Sequence, residues 1–458
     1  MTDPMAIPGW ASPDRDPPHD SPHDAPHDAP HDAHEAHEAR TRTGAGPWAV
    51  ASPRWRHLPP AYSPVPAAAI GAAVRAEIFD AADPREACGV ALCARYHATH
   101  AFLCASGTEA LTLALSAAAD GGGRARTVAL PAYACFDVAA AAVAANVRVV
   151  LYDVDPDTLG PDPSSLEAVV AAGAGTIVVA PLYGVPLDWA PIDRITARHD
   201  ATVIEDAAQG HGAAWRGQPV GSFATLTVLS FGRGKGWTCG SGGALLARHD
   251  AGVAAAVEAR ARTLRAAPGG VRTASTAGLL SLFARPASYR VPASMPWLHL
   301  GETRYHEPAS PRGLPRLGAR ILMATEPYAA QEADARRHNA AQLNAMLELL
   351  DLGHATARRA TPPPASTPGW IRLPVRLGAG MRSLPSRGVA DALGIASGYP
   401  ATLASIPELR SRLAPVTGLW RWPGAEALVR ELITLPTHSL ANDDDRKAIV
   451  EQLRLARA

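Results

Sequence analysis

Seven short apolar segments recur between residues 99 and 248, and they limit the possible folds more than any other feature of the chain. They are 99–104, 127–132, 147–155, 176–184, 201–209, 225–233 and 242–248, and stretches of helical length separate most of them. Short strands that alternate with helices indicate an α/β domain with a largely parallel sheet covered on both faces. Ligands of such sheets bind beyond the carboxyl ends of the strands, so functional residues are expected there.

Two domains are expected, because 458 residues exceed the size at which single hydrophobic cores usually stop growing. Residues 62–290 contain the alternating pattern and form the predicted large domain. Residues 320–458 begin with a long amphipathic segment at 321–350 and form a predicted small α+β domain that ends in a helix.

Residues 1–46 form a predicted disordered tail rich in His, Asp and Pro. Residues 13–39 repeat a short P-H-D-A unit that decays to H-E-A, and they contain no large apolar side chain to bury. Ordering such a segment costs backbone entropy that no burial offsets. Its six histidines could also bind Zn²⁺ or Ni²⁺ loosely, but a plain disordered tail is the favoured interpretation.

The formal net charge and the spacing of the cysteines argue against several classes of protein. A formal net charge of zero argues against a nucleic-acid-binding protein, which usually carries a basic surplus. The five cysteines are scattered without the C-x-x-C pairs of zinc sites, so we expect no metal site. Neither a signal peptide nor an apolar run long enough to span a bilayer is found, which predicts a cytoplasmic protein without membrane contact.

Lys235 is one of two lysines in a chain that has 41 arginines; the other is Lys447. A lysine amine can lose its proton when it is desolvated and can then bond to a carbonyl carbon, whereas arginine stays protonated. The glycines around Lys235 are not a phosphate-binding G-x-x-x-x-G-K-[ST] loop, because Leu229 and Gly236 occupy two of its required positions. A solvated loop lysine would explain this segment equally well.

Three strand ends carry residues that fit one cofactor. Residues 106–108 (SGT) follow a strand at the start of a helix, where free backbone N–H groups favour a phosphate. Asp206 ends another strand and could hold a proton on a heterocyclic nitrogen, while Ser230 ends a third, five residues before Lys235. Each feature alone has a plain structural explanation as a helix cap or turn. Together they provide anchors for the phosphate, ring nitrogen and aldehyde of pyridoxal 5′-phosphate.

Several longer motifs resemble the DegT/DnrJ/EryC1/StrS aminotransferase family, the sugar aminotransferases of fold type I. They include FLCASGTEALTLAL, LPAYACFDVAAAAVAANVRVVLYDVDPDTL, EDAAQGHGA at 205–213, LSFGRGK at 229–235 and GSGG at 240–243. The resemblance is strong over about 60–250 and loose over 320–458. It implies a pyridoxal phosphate-dependent transferase whose large α/β domain binds the cofactor.

The resemblance also implies a role for individual residues. Lys235 would be the Schiff-base lysine, Asp206 the partner of the pyridine nitrogen and Gln209 a contact of the ring hydroxyl. The predicted phosphate contacts are Ser106, Gly107, Thr108 and Ser230.

The chain departs from the family in two places. Cys135 stands where the family usually has an aromatic residue that stacks on the cofactor, so its neighbour Phe136 is the predicted ring contact. The family often forms homodimers in which an asparagine of the partner reaches the phosphate, but residues 312–320 contain none. We expect a homodimer in which Arg312, Arg316 or Arg320 takes that role, although a solvated face explains each arginine equally well. The amphipathic segment 321–350 offers an apolar face beyond what the small domain should need, which also favours a dimer.

The family implies amino transfer, and Lys235 favours it over the dehydration catalysed by related proteins that carry histidine at this position. The predicted reaction moves an amino group from glutamate to the keto group of a nucleotide-linked sugar. A keto-cyclitol or another natural-product intermediate is the alternative acceptor. A non-catalytic regulatory protein with the same fold is the alternative from a different class.

Overall fold

The computed structural model describes residues 56–456 except 249–250, 263, 267–268, 296, 298–302, 308, 350–356 and 417–420. The predicted tail, 1–46, lies outside the described residues. The strands are β1 (His100–Cys104), β2 (Thr127–Pro131), β3 (Arg148–Tyr152), β4 (Thr176–Val179), β5 (Thr202–Asp206), β6 (Ala214–Trp215), β7 (Gln218–Pro219), β8 (Leu226–Ser230), β9 (Gly243–Ala247), β10 (Arg265–Ala266), β11 (Arg312–Gly313), β12 (Ala357–Arg359), β13 (Ser366–Thr367), β14 (Leu373–Leu377), β15 (Ala396–Ser397) and β16 (Leu432–Leu435).

The helices complete an alternating α/β order along the first half of the chain. They are α1 (Ala67–Phe79), α2 (Pro84–Tyr96), α3 (Gly107–Ala119), α4 (Phe136–Ala144), α5 (Pro163–Ala171), α6 (Trp189–His199), α7 (Ala251–Ala261), α8 (Gly270–Phe283), α9 (Pro286–Ala293), α10 (Arg316–Leu349), α11 (Arg387–Ala392), α12 (Pro407–Arg410), α13 (Pro423–Glu431) and α14 (Asp443–Arg454).

The seven predicted strands all occur, and the described residues place them in one sheet of order β10-β11-β1-β9-β8-β5-β4-β2-β3. Strands β8, β5, β4, β2 and β3 pair in parallel, and β9 runs antiparallel between β1 and β8. The predicted fold class, a mostly parallel sheet covered by helices, is confirmed.

Helices cover both faces of this sheet. Val128, Ala129 and Leu130 follow one another in β2 and are completely buried. Val128 and Leu130 pack in a core cluster that includes α3 and α4, whereas Ala129 packs in a cluster that includes α5 and α6. A strand that is buried on both faces has to be apolar at every position, which explains the uninterrupted apolar run in the sequence.

A second sheet, of order β12-β14-β16-β15, is formed by the C-terminal part of the chain. Asp153, which follows β3, fastens this part to the first sheet by accepting hydrogen bonds from Gly424 N (2.9 Å) and Ala425 N (2.8 Å) in the first turn of α13. A carboxylate is favourable there because the N-terminus of a helix carries free N–H groups and a partial positive charge. A side chain at position 424 would collide with the carbonyl oxygen of Val154, so glycine is required. The domain boundaries at 62–290 and 320–458 stay predictions.

Helix α10 contains the predicted amphipathic segment and packs within its own chain. Ile321 and Leu322 are completely buried in a cluster with residues of α1 and α2. Trp237 Nε1 donates to the carbonyl oxygen of Leu322 (2.9 Å), and Thr325 Oγ1 donates to that of Thr238 (3.1 Å). This helix therefore supports the loop that carries Lys235.

We predict that Asp153→Asn lowers the free energy of unfolding by about 1–3 kcal/mol, because an amide group would place a donor against one of two buried N–H donors. Asp334→Asn is the matched control, since Asp334 forms only an exposed ion pair with Arg337, which is worth about 0–1 kcal/mol. Urea denaturation of both variants measures the difference. Equal losses in the two variants would show that Asp153 does not fasten the two sheets together.

Candidate active site

A pocket lies beyond the carboxyl ends of β2, β4, β5 and β8. The structure thus places it where the sheet topology predicts a ligand site. Three predicted site residues, Lys235, Asp206 and Gln209, line it together. The remaining lining residues are Ala134, Cys135, Val138, Ala180, Pro181, Leu182, Ala208 and Tyr399.

The residues predicted to contact the phosphate lie where the N-terminus of α3 meets the end of β8. Ser106 caps α3, and its Oγ accepts a hydrogen bond from Glu109 N (3.1 Å). A Cβ atom on Gly107 would lie 2.7 Å from Ser230 Cβ, so glycine is needed for this close contact. Thr108 lies in the same first helical turn. Free N–H groups of a helix N-terminus beside a serine hydroxyl match a phosphate group in charge and in hydrogen bonding.

Asp206 ends β5 and projects into the pocket, where its Oδ1 accepts a hydrogen bond from Ala208 N (3.2 Å). Burial raises the pKa of Asp206 above its usual value, although the nearby Lys235 acts in the opposite direction. Among the described residues no cation forms an ion pair with this carboxylate. A partly buried carboxylate with one weak donor gains a favourable partner when a protonated ring nitrogen binds beside it, so Asp206 fits the predicted role.

The loop that carries Lys235 is held from two sides. Ser63 Oγ donates a hydrogen bond to the main-chain carbonyl oxygen of Lys235, and Ser63 is itself buried. On the other side, Gly236 lies so close to His211 that a Cβ atom would approach its Cβ to 2.7 Å. These contacts fix the main chain of Lys235 and leave its side chain to project into the pocket.

Gln209 makes two hydrogen bonds that determine the orientation of its amide. Its Oε1 accepts from the main-chain N–H of Tyr183 (2.6 Å), and its Nε2 donates to the hydroxyl of Tyr399 (2.7 Å). The sequence analysis did not identify Tyr399 as a pocket residue. The available signal was an aromatic residue in a Gly-Tyr-Pro turn of a chain that has only 5% aromatic residues.

Cys135, rather than Phe136, lines the pocket. Burial raises the pKa of the Cys135 thiol to about 12, so the sulfur stays protonated at neutral pH and is a poor nucleophile. Phe136 begins α4 and packs against the core cluster on one face of the sheet. Its contact with the cofactor ring stays a prediction.

Acidic side chains of the same chain engage the three arginines that could reach a partner's phosphate. Arg312 Nη2 lies 3.2 Å from Glu109 Oε1, while Arg316 and Arg320 pair with Glu77 at 3.5 and 2.7 Å. Stabilisation of the fold is sufficient to explain these arginines. Their contact with a partner's phosphate stays a prediction.

No helix in the described part of the chain is long and apolar enough to cross a membrane. The same residues contain no cluster of three or more His, Cys, Asp or Glu side chains that could hold a metal ion.

Comparisons with known proteins agree with the geometry of the pocket. The model of the DegT/DnrJ/EryC1/StrS aminotransferase family matches residues 69–278. The chain is 32% identical over 318 residues to the L-glutamine:2-deoxy-scyllo-inosose aminotransferase of Streptomyces fradiae, a match that covers 68% of each protein. The chain belongs to this family. The predictions of the family, of a pyridoxal phosphate-dependent aminotransferase and of its cofactor are therefore confirmed.

Two further proteins are similar to this chain. The L-glutamine:scyllo-inosose aminotransferase of Streptomyces griseus is 36% identical over 187 residues, or 40% of this chain and 42% of that protein. The crystal structure of the sugar aminotransferase CalS13 from Micromonospora echinospora matches with a TM-score of 0.65 and 22% identity, over 87% of this chain and 99% of that one. The similarity to the CalS13 structure shows the fold alone. For the substrates, these comparisons confirm a small-molecule amino donor and a keto acceptor.

We predict that Gly107→Ala weakens the binding of pyridoxal phosphate at least about 10-fold, because the new Cβ displaces Ser230 and disturbs hydrogen bonds to a charged phosphate. Gly71→Ala on α1 is the control, since no atom lies within 4 Å of the added Cβ. Absorbance titration of both variants measures the dissociation constants. Unchanged binding by Gly107→Ala would remove this contact from the phosphate site.

Proposed function

We propose that the protein transfers an amino group from glutamine to a keto-cyclitol of the scyllo-inosose class. The observation that carries the proposal is the convergence of Lys235, Asp206 and Gln209 in one pocket next to the contact between Gly107 and Ser230. The donor and acceptor are taken from the names of the similar Streptomyces enzymes.

The residues of the pocket fit pyridoxal phosphate in three places. The contact between Gly107 and Ser230 leaves no room for a side chain on Gly107. Asp206 is a partly buried carboxylate without an ion-pair partner in the described chain, and Lys235 provides the amine. When bound, pyridoxal phosphate supplies an aldehyde that bonds to amines and a ring that accepts the electron pair released from the amino donor.

Lys235 is the proton carrier of the proposed reaction. With the cofactor bound, its Nζ would accept the proton from Cα of the amino donor and return it to the bound molecule, a role in which a positioned acid–base group typically contributes about 10²- to 10⁴-fold. Its main chain is held by Ser63 while the side chain moves the proton.

Asp206 and the phosphate cradle orient the reacting groups. Asp206 would hold a proton on the ring nitrogen of the bound cofactor, and the protonated ring would supply the capacity to accept electrons. The N-terminus of α3 and Ser230 hold the phosphate at the other end. Over a full cycle, the amino group of glutamine and the carbonyl oxygen of the acceptor exchange places, so no external oxidant or reductant is needed.

The charges around the pocket support an uncharged acceptor. Of the described residues that line it, Lys235 and Asp206 are charged and the others are neutral, although the chain contains 41 arginines. A cyclitol needs no cationic partner, whereas the diphosphate of a nucleotide-linked sugar would favour arginine. The nucleotide-linked sugar remains the second candidate, because the structurally similar CalS13 is named a sugar aminotransferase.

We predict that the protein forms an aminocyclitol from L-glutamine and scyllo-inosose and that Lys235→Ala lowers the turnover number at least about 10²-fold, because the proton carrier is lost. Lys447→Ala provides the control, since Lys447 lies on α14 and faces Asp444 at 3.8 Å. Chromatographic detection of the amine measures the rate, with L-glutamate as a second donor and a nucleotide-linked keto sugar as a second acceptor.

The outcomes of this assay separate the parts of the proposal. Full turnover by Lys235→Ala would contradict the role of Lys235. Amination of the nucleotide-linked sugar alone would replace the acceptor class and leave the aminotransferase activity in place.

We further propose a homodimer that covers an apolar surface formed by α1 and α8. Ile78, Phe79, Val271, Leu279 and Leu282 are exposed there, with Phe79 at 84% and Val271 at 83%. Large exposed apolar side chains on two helices that pack together are typical of an association surface, and an isologous dimer would bury them.

We predict that the wild-type protein sediments as a dimer and that the double variant Phe79→Asp, Val271→Asp sediments as a monomer, because charges on an apolar interface oppose association. Leu349→Asp at the end of α10 is the control, since Leu349 is 81% exposed. A monomeric wild-type protein would refute the proposed dimer.

A further inference from the structure

The hydroxyl of Tyr399 has an unusual place in the pocket. It accepts a hydrogen bond from Gln209 Nε2 (2.7 Å), but no residue in the described part of the chain accepts its own proton. The side chain is only 7% exposed and lines the pocket with Lys235 and Asp206. A buried hydroxyl usually has a partner for its proton, so this one is suited to a ligand.

The position of this phenol is fixed by contacts from the first sheet. The main-chain N–H of Tyr399 donates to the hydroxyl of Tyr133 (2.9 Å), and the two rings lie 5.2 Å apart. A side chain on Gly398 would collide with the same hydroxyl, so the Gly-Tyr sequence is needed for this close approach. Tyr399 follows β15 of the C-terminal sheet, and these contacts hold it over the pocket of the first sheet.

Gln209 presents N–H groups on the side of Tyr399. The main-chain N–H of Tyr183 needs an acceptor, which assigns Oε1 to that side and Nε2 to the side of Tyr399. Only one of the two Nε2 protons is used by Tyr399. Burial raises the pKa of Tyr399 well above its usual value, so the phenol keeps its proton at neutral pH. Two donors, the spare N–H of Gln209 and the O–H of Tyr399, are therefore available at one wall of the pocket.

We propose that Tyr399 donates a hydrogen bond to the ring oxygen of bound pyridoxal phosphate and, with Gln209, holds that oxygen as an anion. The inference rests on the proposed cofactor site and adds a residue from the C-terminal sheet to it. Two neutral donors beside one oxygen stabilise its negative charge without adding a net charge to the pocket. No covalent bond changes in this interaction.

The expected consequence is a lowered pKa of the bound cofactor. Hydrogen bonds to a deprotonated oxygen favour the deprotonated form, so they lower the pH at which the bound cofactor changes its absorbance. Removing one donor raises that pH. This readout responds to the hydrogen bonds that the ring oxygen receives and does not depend on turnover.

The test is a spectrophotometric pH titration of the holoenzyme and of Tyr399→Phe. The variant keeps the packed ring and loses the donor, and we expect its absorbance midpoint to rise by about 1 pH unit. Tyr183→Phe is the matched control, because the Tyr183 hydroxyl lies beside that of Tyr133 (3.3 Å) and only its main chain contacts Gln209. Its midpoint should equal that of the wild-type protein.

An unchanged midpoint in Tyr399→Phe, with cofactor bound, would overturn this inference alone. Failure of the wild-type protein to bind pyridoxal phosphate would instead contradict the proposed function. Should Tyr399→Phe fail to fold, the wild-type protein can be titrated with pyridoxal phosphate and with its 3-deoxy analogue. We expect the analogue, which lacks the ring oxygen, to bind at least about 10-fold more weakly, and equal affinities would refute the inference.

Discussion

The site depends on a contact between three chain segments that leaves no room for a side chain. The N-terminus of α3 touches the end of β8, where a Cβ atom on Gly107 would lie 2.7 Å from Ser230. The start of β9 contacts the chain at Ser106, just before α3. A Cβ atom on Gly243 in β9 would lie 2.5 Å from the carbonyl oxygen of Ser106. Two glycines thus allow the helix N-terminus, the serine hydroxyl and the loop of Lys235 to share one end of the sheet. If these segments lay further apart, the parallel sheet could still form. The proposed phosphate contacts and the amine of Lys235 would then lie too far apart to bind one cofactor.

Segments far apart in the sequence complete the pocket around this contact. Ser63 from the start of the described chain holds the main chain of Lys235, and Tyr399 from the C-terminal sheet holds Gln209. Tyr133 supports the second arrangement, because its hydroxyl accepts a hydrogen bond from the main-chain N–H of Tyr399. Asp153 ties α13 to the first sheet. The pocket is therefore formed by residues associated with both sheets. A change in the contact between the sheets would alter the hydrogen bond between Gln209 and Tyr399.

The strand pattern could be predicted from the sequence because most buried strands are short runs rich in apolar residues, and two of them end at predicted site residues. Asp206 and Ser230 end β5 and β8, as expected. Tyr399 could not be found in this way, because its place depends on contacts between residues more than 200 positions apart, such as Asp153 with Gly424. The apolar face of 321–350 suggested a dimer surface, but α10 buries Ile321 and Leu322 in its own chain. A hydrophobic pattern shows which face is buried and does not show what covers it.

The central claim is that Lys235 bonds to the cofactor, and reduction of the holoenzyme with borohydride tests it most directly. The chain has two lysines, and they lie in different places. Lys235 lines the pocket, whereas Lys447 lies on α14 beside Asp444. Reduction followed by peptide mass mapping should show the cofactor fixed to Lys235. A label on Lys447, or no label on a protein that binds the cofactor, would contradict the account.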